Sequence, residues 1–293
     1  MALEIILRIA VCTTIFPLVM PYWTDFILSL QNQSFVADLV VVNDGVKGEI
    51  PGLSTYPGHV SVVQGGGTTS ENRGILIAAA LEKDYDWAVF GDADDFFEAN
   101  RIETVLNKSR SVDCLVNDLA LVDAIGRILR NSLWGTRISN SQVIGLDFLR
   151  DSNIAGLSNS AVKTSFLRNL ALPPMIQAVD WYLFSLVAAR GAKIEFCSTT
   201  KSFYRQYGAN FAGAIDNQSP SKVMNAIRVK AAHYKALMTS VAGFEGRALY
   251  FDKLERAVTG DSDLFDAYMN RIPWIEGDSL FWWENAPIVD EII

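Results

Sequence analysis

Residues 4–13 are rich in Ile, Leu and Val, with Arg8 interrupting the apolar run that begins at Ile5. Such a run reads as a strand covered on both faces. Pro17 and Pro21 interrupt the pattern, and the period then changes. Over residues 22–30, Trp23, Phe26, Ile27 and Leu30 share one face of a helix. Residues 37–42 return to a strand pattern closed by Asn43-Asp44-Gly45, a strong turn signal. Residues 59–64 read as a third strand and Gly65 to Ser70 as a loop. Residues 71–83 read as a helix, favoured by Ala78, Ala79 and Ala80. Residues 87–90 are again a buried strand. The alternation predicts an α/β fold with a mostly parallel central sheet flanked by helices.

Further along, residues 98–107 pattern as a helix, and 113–121 and 127–131 as strands joined by a turn at Ala124-Ile125-Gly126. Residues 160–170 and 181–190 read as helices and 193–197 as a strand, followed by Phe203-Tyr204. Beyond Gly213 the character changes. Ser219-Pro220-Ser221 suits a helix start, and Val223, Ile227, Ala231, Tyr234 and Met238 recur at helical spacing. Two more helical stretches lie near 244–258 and 262–269. The expected division is therefore an α/β domain over 1–213 and a helical C-terminal extension over 214–293. Phe281-Trp282-Trp283 near the end either forms a docking patch or folds back onto the core.

The composition fits a packed globular protein: 50% hydrophobic and 20% charged among 293 residues. A formal net charge of -8 argues against general nucleic-acid binding, which needs clustered cations. Cys12, Cys114 and Cys197 are widely separated and lie in or beside apolar runs, so they read as buried free thiols suited to a reducing cytoplasm. No basic leader with a small-residue cleavage site opens the chain, and no window reaches ~18 uninterrupted apolar residues. The expectation is a cytoplasmic protein, with the inner face of the membrane as a further possible location.

The chemistry concentrates in Trp87-Ala88-Val89-Phe90-Gly91-Asp92-Ala93-Asp94-Asp95. Three carboxylates follow a buried strand within four positions. Unpaired charges resist burial, whereas the carboxyl edge of a parallel sheet is where open α/β proteins bind ligands. Mg²⁺ is often held by one or two carboxylates plus substrate phosphates. Read alone, the motif also suits a haloacid-type phosphatase, but that class wants it on the first strand. A dinucleotide-binding reading lacks a G-x-G-x-x-G after the first strand. A sugar nucleotidylyltransferase wants a Gly-rich basic loop where Thr13-Thr14-Ile15-Phe16-Pro17 stands.

Five segments in order carry a resemblance. They are Val40-Val41-Val42-Asn43-Asp44-Gly45, Glu71-Asn72-Arg73-Gly74, Phe90-Gly91-Asp92-Ala93-Asp94-Asp95, Val179-Asp180-Trp181 and Tyr204-Arg205-Gln206-Tyr207-Gly208-Ala209-Asn210. Together, over about residues 4–213, they resemble the bacterial type of family 2 glycosyltransferases, which have the GT-A nucleotide-diphospho-sugar transferase fold. The resemblance implies an inverting transferase. It would move a sugar from a nucleotide diphosphate donor, a UDP-sugar above all, to a glycan or lipid-linked glycan, as in polysaccharide biosynthesis. Mn²⁺ or Mg²⁺ would be the cofactor. The competing expectation is a non-catalytic nucleotide-sugar-binding or scaffold protein on the same fold, with peripheral membrane or protein contact through its C-terminal extension.

The resemblance also distributes roles. Asp44 would accept donors of the base, or simply form the turn before Gly45. Thr13 and Thr14 would contact the base or ribose. Arg73 would reach base, ribose or phosphate, or remain a solvated helix-start arginine. Asp92, Ala93 and Asp94 would line the donor, with Asp92 and Asp94 on one side of an extended segment and Asp94 the stronger metal ligand. Asp95 would orient the loop or contact the donor sugar. Asp180 would be the general base, or a helix N-cap, or both. Trp181 would wall off the base and stack on a sugar. Three positions depart from the family pattern: Tyr207 replaces a His before Gly, Val179 replaces Glu, and Asn43 replaces Asp. His59 and His233 lie in no matching motif and read as surface or packing residues.

Overall fold

Ile9–Ile15 (β1) is buried at all seven positions, as expected of a strand with both faces covered. In this computed structural model, which describes residues 7–207, 219–272 and 281–289, β1 is the middle of a parallel group. It pairs with Asp38–Asn43 (β2) on one side and Trp87–Phe90 (β4) on the other, and Val60–Gln64 (β3) adds outside β2. Trp23–Gln31 (α1) buries the four predicted apolar residues, Trp23, Phe26, Ile27 and Leu30. Thr69–Glu82 (α2) starts at a capping box. Thr68 Oγ1 accepts from the Glu71 amide, and Glu71 accepts from the Thr68 amide.

The other half of the sheet is mixed. Ser160–Lys163 (β8) lies antiparallel between β4 and Cys114–Val122 (β6), and Ile194–Arg205 (β9) runs parallel to β6. Phe96–Phe97 (β5) closes the far edge antiparallel to β9, and Ile128–Arg130 (β7) makes a hairpin with β6. The strand order is β3-β2-β1-β4-β8-β6-β9-β5, with β7 beside β6.

Two expectations are corrected here. Residues 160–170 do not form a helix: they form β8 and a single 3-10 turn over Thr164–Leu167. The gap between β4 and β6 exposes strand edges on both sides, and buried backbone groups must be paired, so a strand fills it whatever the local preference. The strand expected over 193–197 continues to Arg205, twelve residues in all, with a register shift at Asn117/Asp118 of its partner.

Alternation along β1 divides the core. Ile9, Val11 and Ile15 pack with α1 and with Ile102 and Val105 of Arg101–Lys108 (α3). Ala10 and Cys12 pack with α2 and Val179–Ala189 (α5). The second cluster runs on into Pro220–Leu237 (α6), Glu245–Gly260 (α7) and Ser262–Met269 (α8). Of the five apolar positions predicted for α6, Met238 falls just beyond its end and is exposed.

The aromatic segment near the C-terminus folds back. Phe281 stacks on Trp134 with ring centroids 4.3 Å apart, and Trp283 stacks on Phe281 at 4.5 Å. Both are buried, so of the two alternatives for this segment these rings take the fold-back one. Arg137 pairs with Glu284 at 2.8 Å, Lys230 Nζ donates to the Ala286 carbonyl at 2.9 Å, and Tyr268 donates to the Pro287 carbonyl at 2.8 Å. All three cysteines are free and buried. Among the described residues, no helix is long and apolar enough to cross a membrane.

Candidate active site

β4 hands over to the acidic residues through Gly91. A Cβ there would lie 2.6 Å from the Phe97 ring and 3.0 Å from that of Phe26, so the close approach of β4 to α1 and β5 requires glycine. The next residues turn sharply instead of extending: the Asp95 amide donates to the Asp92 carbonyl at 3.1 Å. This corrects the extended-segment expectation and separates the partners of Asp92 and Asp94. Asp92 Oδ1 accepts from Arg73 Nη2 at 2.5 Å, and Asp94 Oδ2 accepts from the Tyr207 hydroxyl at 2.6 Å. The Ala93 side chain is buried in the apolar cluster beneath, so only its backbone faces the site.

Arg73 is neither solvated nor free to reach a ligand with its whole fork. Its Nη1 donates to Thr14 Oγ1 at 3.1 Å while Nη2 holds Asp92, which ties the end of β1 to the acidic turn. Thr14, on the opposite face of the pleat from Thr13, is the site-facing threonine. Thr13 is fully buried with no partner for its hydroxyl, so its expected contact with base or ribose is not available. Asp44 ends β2 half-buried, and its Oδ2 accepts from Asn72 Nδ2 at 2.9 Å. Asn72 Oδ1 in turn accepts from the Gly66 amide at 3.1 Å, which orders the glycine loop against the α2 N-terminus.

Asp95 has no solvent exposure. It accepts from the Ser158 hydroxyl and, at 2.8 Å, from the Arg205 amide. Of its two expected roles, burial leaves only the orienting one. Arg205 is a site residue that the sequence quoted in a motif but gave no role. Its guanidinium donates to the carbonyls of Asp94 and Ala124, both at 2.8 Å, and to Asp25 Oδ2 at 2.6 Å. It also lies over the Tyr22 ring at 4.8 Å. Nothing in the sequence distinguishes Arg101. Fully buried on α3, it donates to Phe90 O at 2.7 Å and to Asn117 Oδ1 at 3.1 Å. Arg205 thus bonds the acidic turn directly, and Arg101 holds the end of β4 just before it.

The carboxylates are crowded. Burial, then the charge of Asp92, pushes Asp94 above the usual carboxylate range. Asp95 is driven well above it by burial and then by Asp94 and Asp92. Among the described residues, no group of three or more His, Cys, Asp or Glu side chains is arranged to hold a metal ion. The donor set nonetheless suits a hard cation that completes its shell with phosphate oxygens, because two carboxylates suffice for that and their mutual repulsion is what a cation relieves.

Asp180 lies in the first turn of α5, whose N-cap is Ala178. Its carboxylate accepts from the Trp181 amide at 2.8 Å and from Asn153 Nδ2 at 3.2 Å. Burial raises it above the ordinary carboxylate range against those two hydrogen bonds, Asp92 raises it further, and Arg73 lowers it. The base candidate therefore shares one electrostatic environment with the acidic turn. Tyr204 marks the meeting point, since burial and the charges of Asp95, Asp94, Asp92 and Asp180 all raise its phenol. Trp181 does not face this site. It is fully buried, donates Nε1–H to the Leu149 carbonyl at 2.5 Å and stacks on His233 at 3.9 Å. The expected sugar-stacking role is corrected to one of packing.

No family model matches the chain, and no curated protein matches it in sequence. Solved structures do match its fold. TarS of S. aureus (residues 1–349, in complex with UDP-GlcNAc) aligns over 88% of this chain and 74% of its own at 16% identity, with a TM-score of 0.60. GalNAc-T7 with UDP, GalNAc and Mn²⁺ aligns over 88% of this chain and 55% of its own at 13% identity and a TM-score of 0.55. The mannosyltransferase PcManGT of Pyrobaculum calidifontis, with GDP-Man and Mn²⁺, aligns over 86% and 75% at 11% identity and 0.53. This chain has a GT-A glycosyltransferase fold. In that GT-A frame Thr14, Asp44, Arg73, the acidic turn and Asp180 all sit at the carboxyl ends of the parallel strands or beside them.

Proposed function

We propose that the chain is an inverting glycosyltransferase that moves a sugar from a nucleotide diphosphate donor, a UDP-sugar, to a glycan or lipid-linked glycan. Residues 1–213 form the catalytic domain and 214–293 its helical extension. One observation carries this reading: a raised carboxylate, Asp180, shares its surroundings with Asp92, Arg73 and the acidic turn on a GT-A scaffold.

In this reading Asp44 meets the base, and Arg73 fixes Asp92 toward the ribose. Asp94, with Asp92, would hold Mn²⁺ or Mg²⁺. When bound, the cation would supply Lewis-acid stabilisation of charge on the departing diphosphate. Asp180 takes the proton of the acceptor hydroxyl as that oxygen attacks the anomeric carbon from the face opposite the leaving group. The C1–O bond to the diphosphate breaks as the new C1–O bond forms, so the configuration inverts. A carboxylate held above its usual range is better matched to that proton transfer.

The test is a thermal-shift screen of UDP and GDP with and without Mn²⁺, followed by measurement of UDP release from UDP-sugars. Stabilisation that needs both nucleotide and metal, with release abolished by Asp180→Asn, is expected. Stabilisation by UDP with no release from any UDP-sugar favours the binding-protein reading. Its support is Tyr207, which occupies one Asp94 oxygen where the resemblance expects a histidine.

A further inference from the structure

Residues 153–160 lead from Leu146–Leu149 (α4) into β8, and they touch both halves of the proposed site. At one end Asn153 Nδ2 donates to Asp180 Oδ2 at 3.2 Å. At the other, Ser158 Oγ donates to Asp95 Oδ2. Antiparallel pairing of Ala161 with Val89 explains the second contact, because residues just before β8 must lie beside residues just after β4. The stretch is pinned between its ends. Asn159 Nδ2 donates to the carbonyls of Asn117 at 2.8 Å and Ile154 at 3.1 Å, and Ser202 Oγ donates to the Ser158 carbonyl at 2.7 Å. Asn153, Ser158 and Asn159 are all buried, where polar side chains are costly unless their bonds are made.

We infer that residues 153–160 are a spacer that fixes the separation between the acidic turn and Asp180, with Asn153 and Ser158 as positioning residues for sugar transfer. This rests on the transferase reading. Asn153 is the telling member. It is 8% exposed, and its Oδ1 has no hydrogen-bond partner while its amide nitrogen is committed to Asp180. A side chain kept for its own satisfaction would not leave a buried acceptor unpaired. Gly156 adds to this: a Cβ there would stand 3.6 Å from Asp180 Oδ2 and 3.2 Å from Asn159 Oδ1, so the spacer backbone runs close against the carboxylate.

The test uses the full chain with Asn153→Ala, Asn153→Asp, Ser158→Ala, Ser158→Thr and the double alanine variant. Carboxyl ¹³C titration of Asp180 reads the contact without any turnover. Removing the Asn153 donor moves the Asp180 titration to higher pH, and Asn153→Asp moves it further. With UDP-sugar, Asn153→Ala lowers kcat roughly tenfold or more, the loss of one hydrogen bond to a charged group, with KM for the donor little changed. Ser158→Thr retains the activity that Ser158→Ala loses. The double variant loses less than the product of the single losses, by about threefold or more, because both act through one spacer. An unmoved Asp180 titration in Asn153→Ala, or multiplicative losses, overturns the inference. If the unaltered chain neither binds UDP nor releases it from a UDP-sugar, the transferase reading fails, and the ¹³C titration still decides whether Asn153 sets the state of Asp180.

Discussion

Asp180 is held in a state that costs stability and that, in the proposed transferase, suits proton transfer. Burial raises its folded pKa above the unfolded value, so the folded chain holds this proton more tightly. Folding stability from this group therefore falls as pH rises through that window, and the cost is fully present above the folded pKa. Asp180→Asn is expected to raise the melting temperature at pH 7, with the difference vanishing near pH 4. In the proposed transferase the same change is expected to lower transfer by about 10²–10⁴-fold, the usual contribution of a positioned base. In the unaltered chain the acid limb of kcat/KM is expected above the ordinary carboxylate range. A limb at or below that range would show that another group titrates. Tyr207→His offers a second residue-scale measurement. Replacing the phenol that donates to Asp94 by an imidazole is expected to tighten Mn²⁺ binding in the presence of UDP, read by metal titration.

The ordered motifs single out the acids but say nothing of their surroundings. Asp92, Asp94, Asp180 and Asp44 are legible only as an ordered set of motifs, because singly an aspartate at a helix start or before glycine has ordinary structural reasons to be there. The choice between Thr13 and Thr14 is not, because it depends on which face of β1 turns toward α2. Trp181 misleads for a related reason: a tryptophan beside a base suits a sugar wall and a helix interface equally, and only α6, a separate element, decides it. Arg101 and Arg205 read as ordinary cations until the fold closes over them.

At the scale of elements, hydrophobic period was a good guide wherever an element has one covered face. The four buried residues of α1 follow directly from their spacing. β8 and β5 were lost because their state is set by neighbours distant in sequence. Ser160-Ala161-Val162-Lys163 is a strand because β4 and β6 both need partners, and Phe96–Phe97 because Phe203 and Ser202 pair with it. The join of β4 to the acidic turn is similarly sensitive. Gly91→Ala pushes a methyl into Phe97 and Phe26 and is expected to cost about 1–3 kcal/mol by denaturant unfolding, the usual range for overpacking. A change within about 0.3 kcal/mol would mean that the rings give way easily.

At the scale of the whole molecule, the helical extension and the sheet share one apolar cluster, and the folded-back tail completes it. Ending the chain at residue 272 removes Phe281 and Trp283 from Trp134 and Trp282 from Trp181. The shortened protein is expected to unfold at lower temperature, with red-shifted tryptophan emission as Trp134 meets water. Unchanged emission would show that the tail is dispensable to the core.

The order of the strands also has a consequence for synthesis. A ribosome delivers β1 to β4 first, and the outer edge of β4 stays bare until β8 emerges some seventy residues later. Asp95 waits longer still, because the Arg205 amide that it accepts lies 110 positions downstream. The acidic turn thus reaches its native arrangement late, as a growing chain closes its sheet from the middle outward. A nascent chain stalled before β9 has left the exit tunnel should carry Asp95 in solvent, and should bury it once that strand is free.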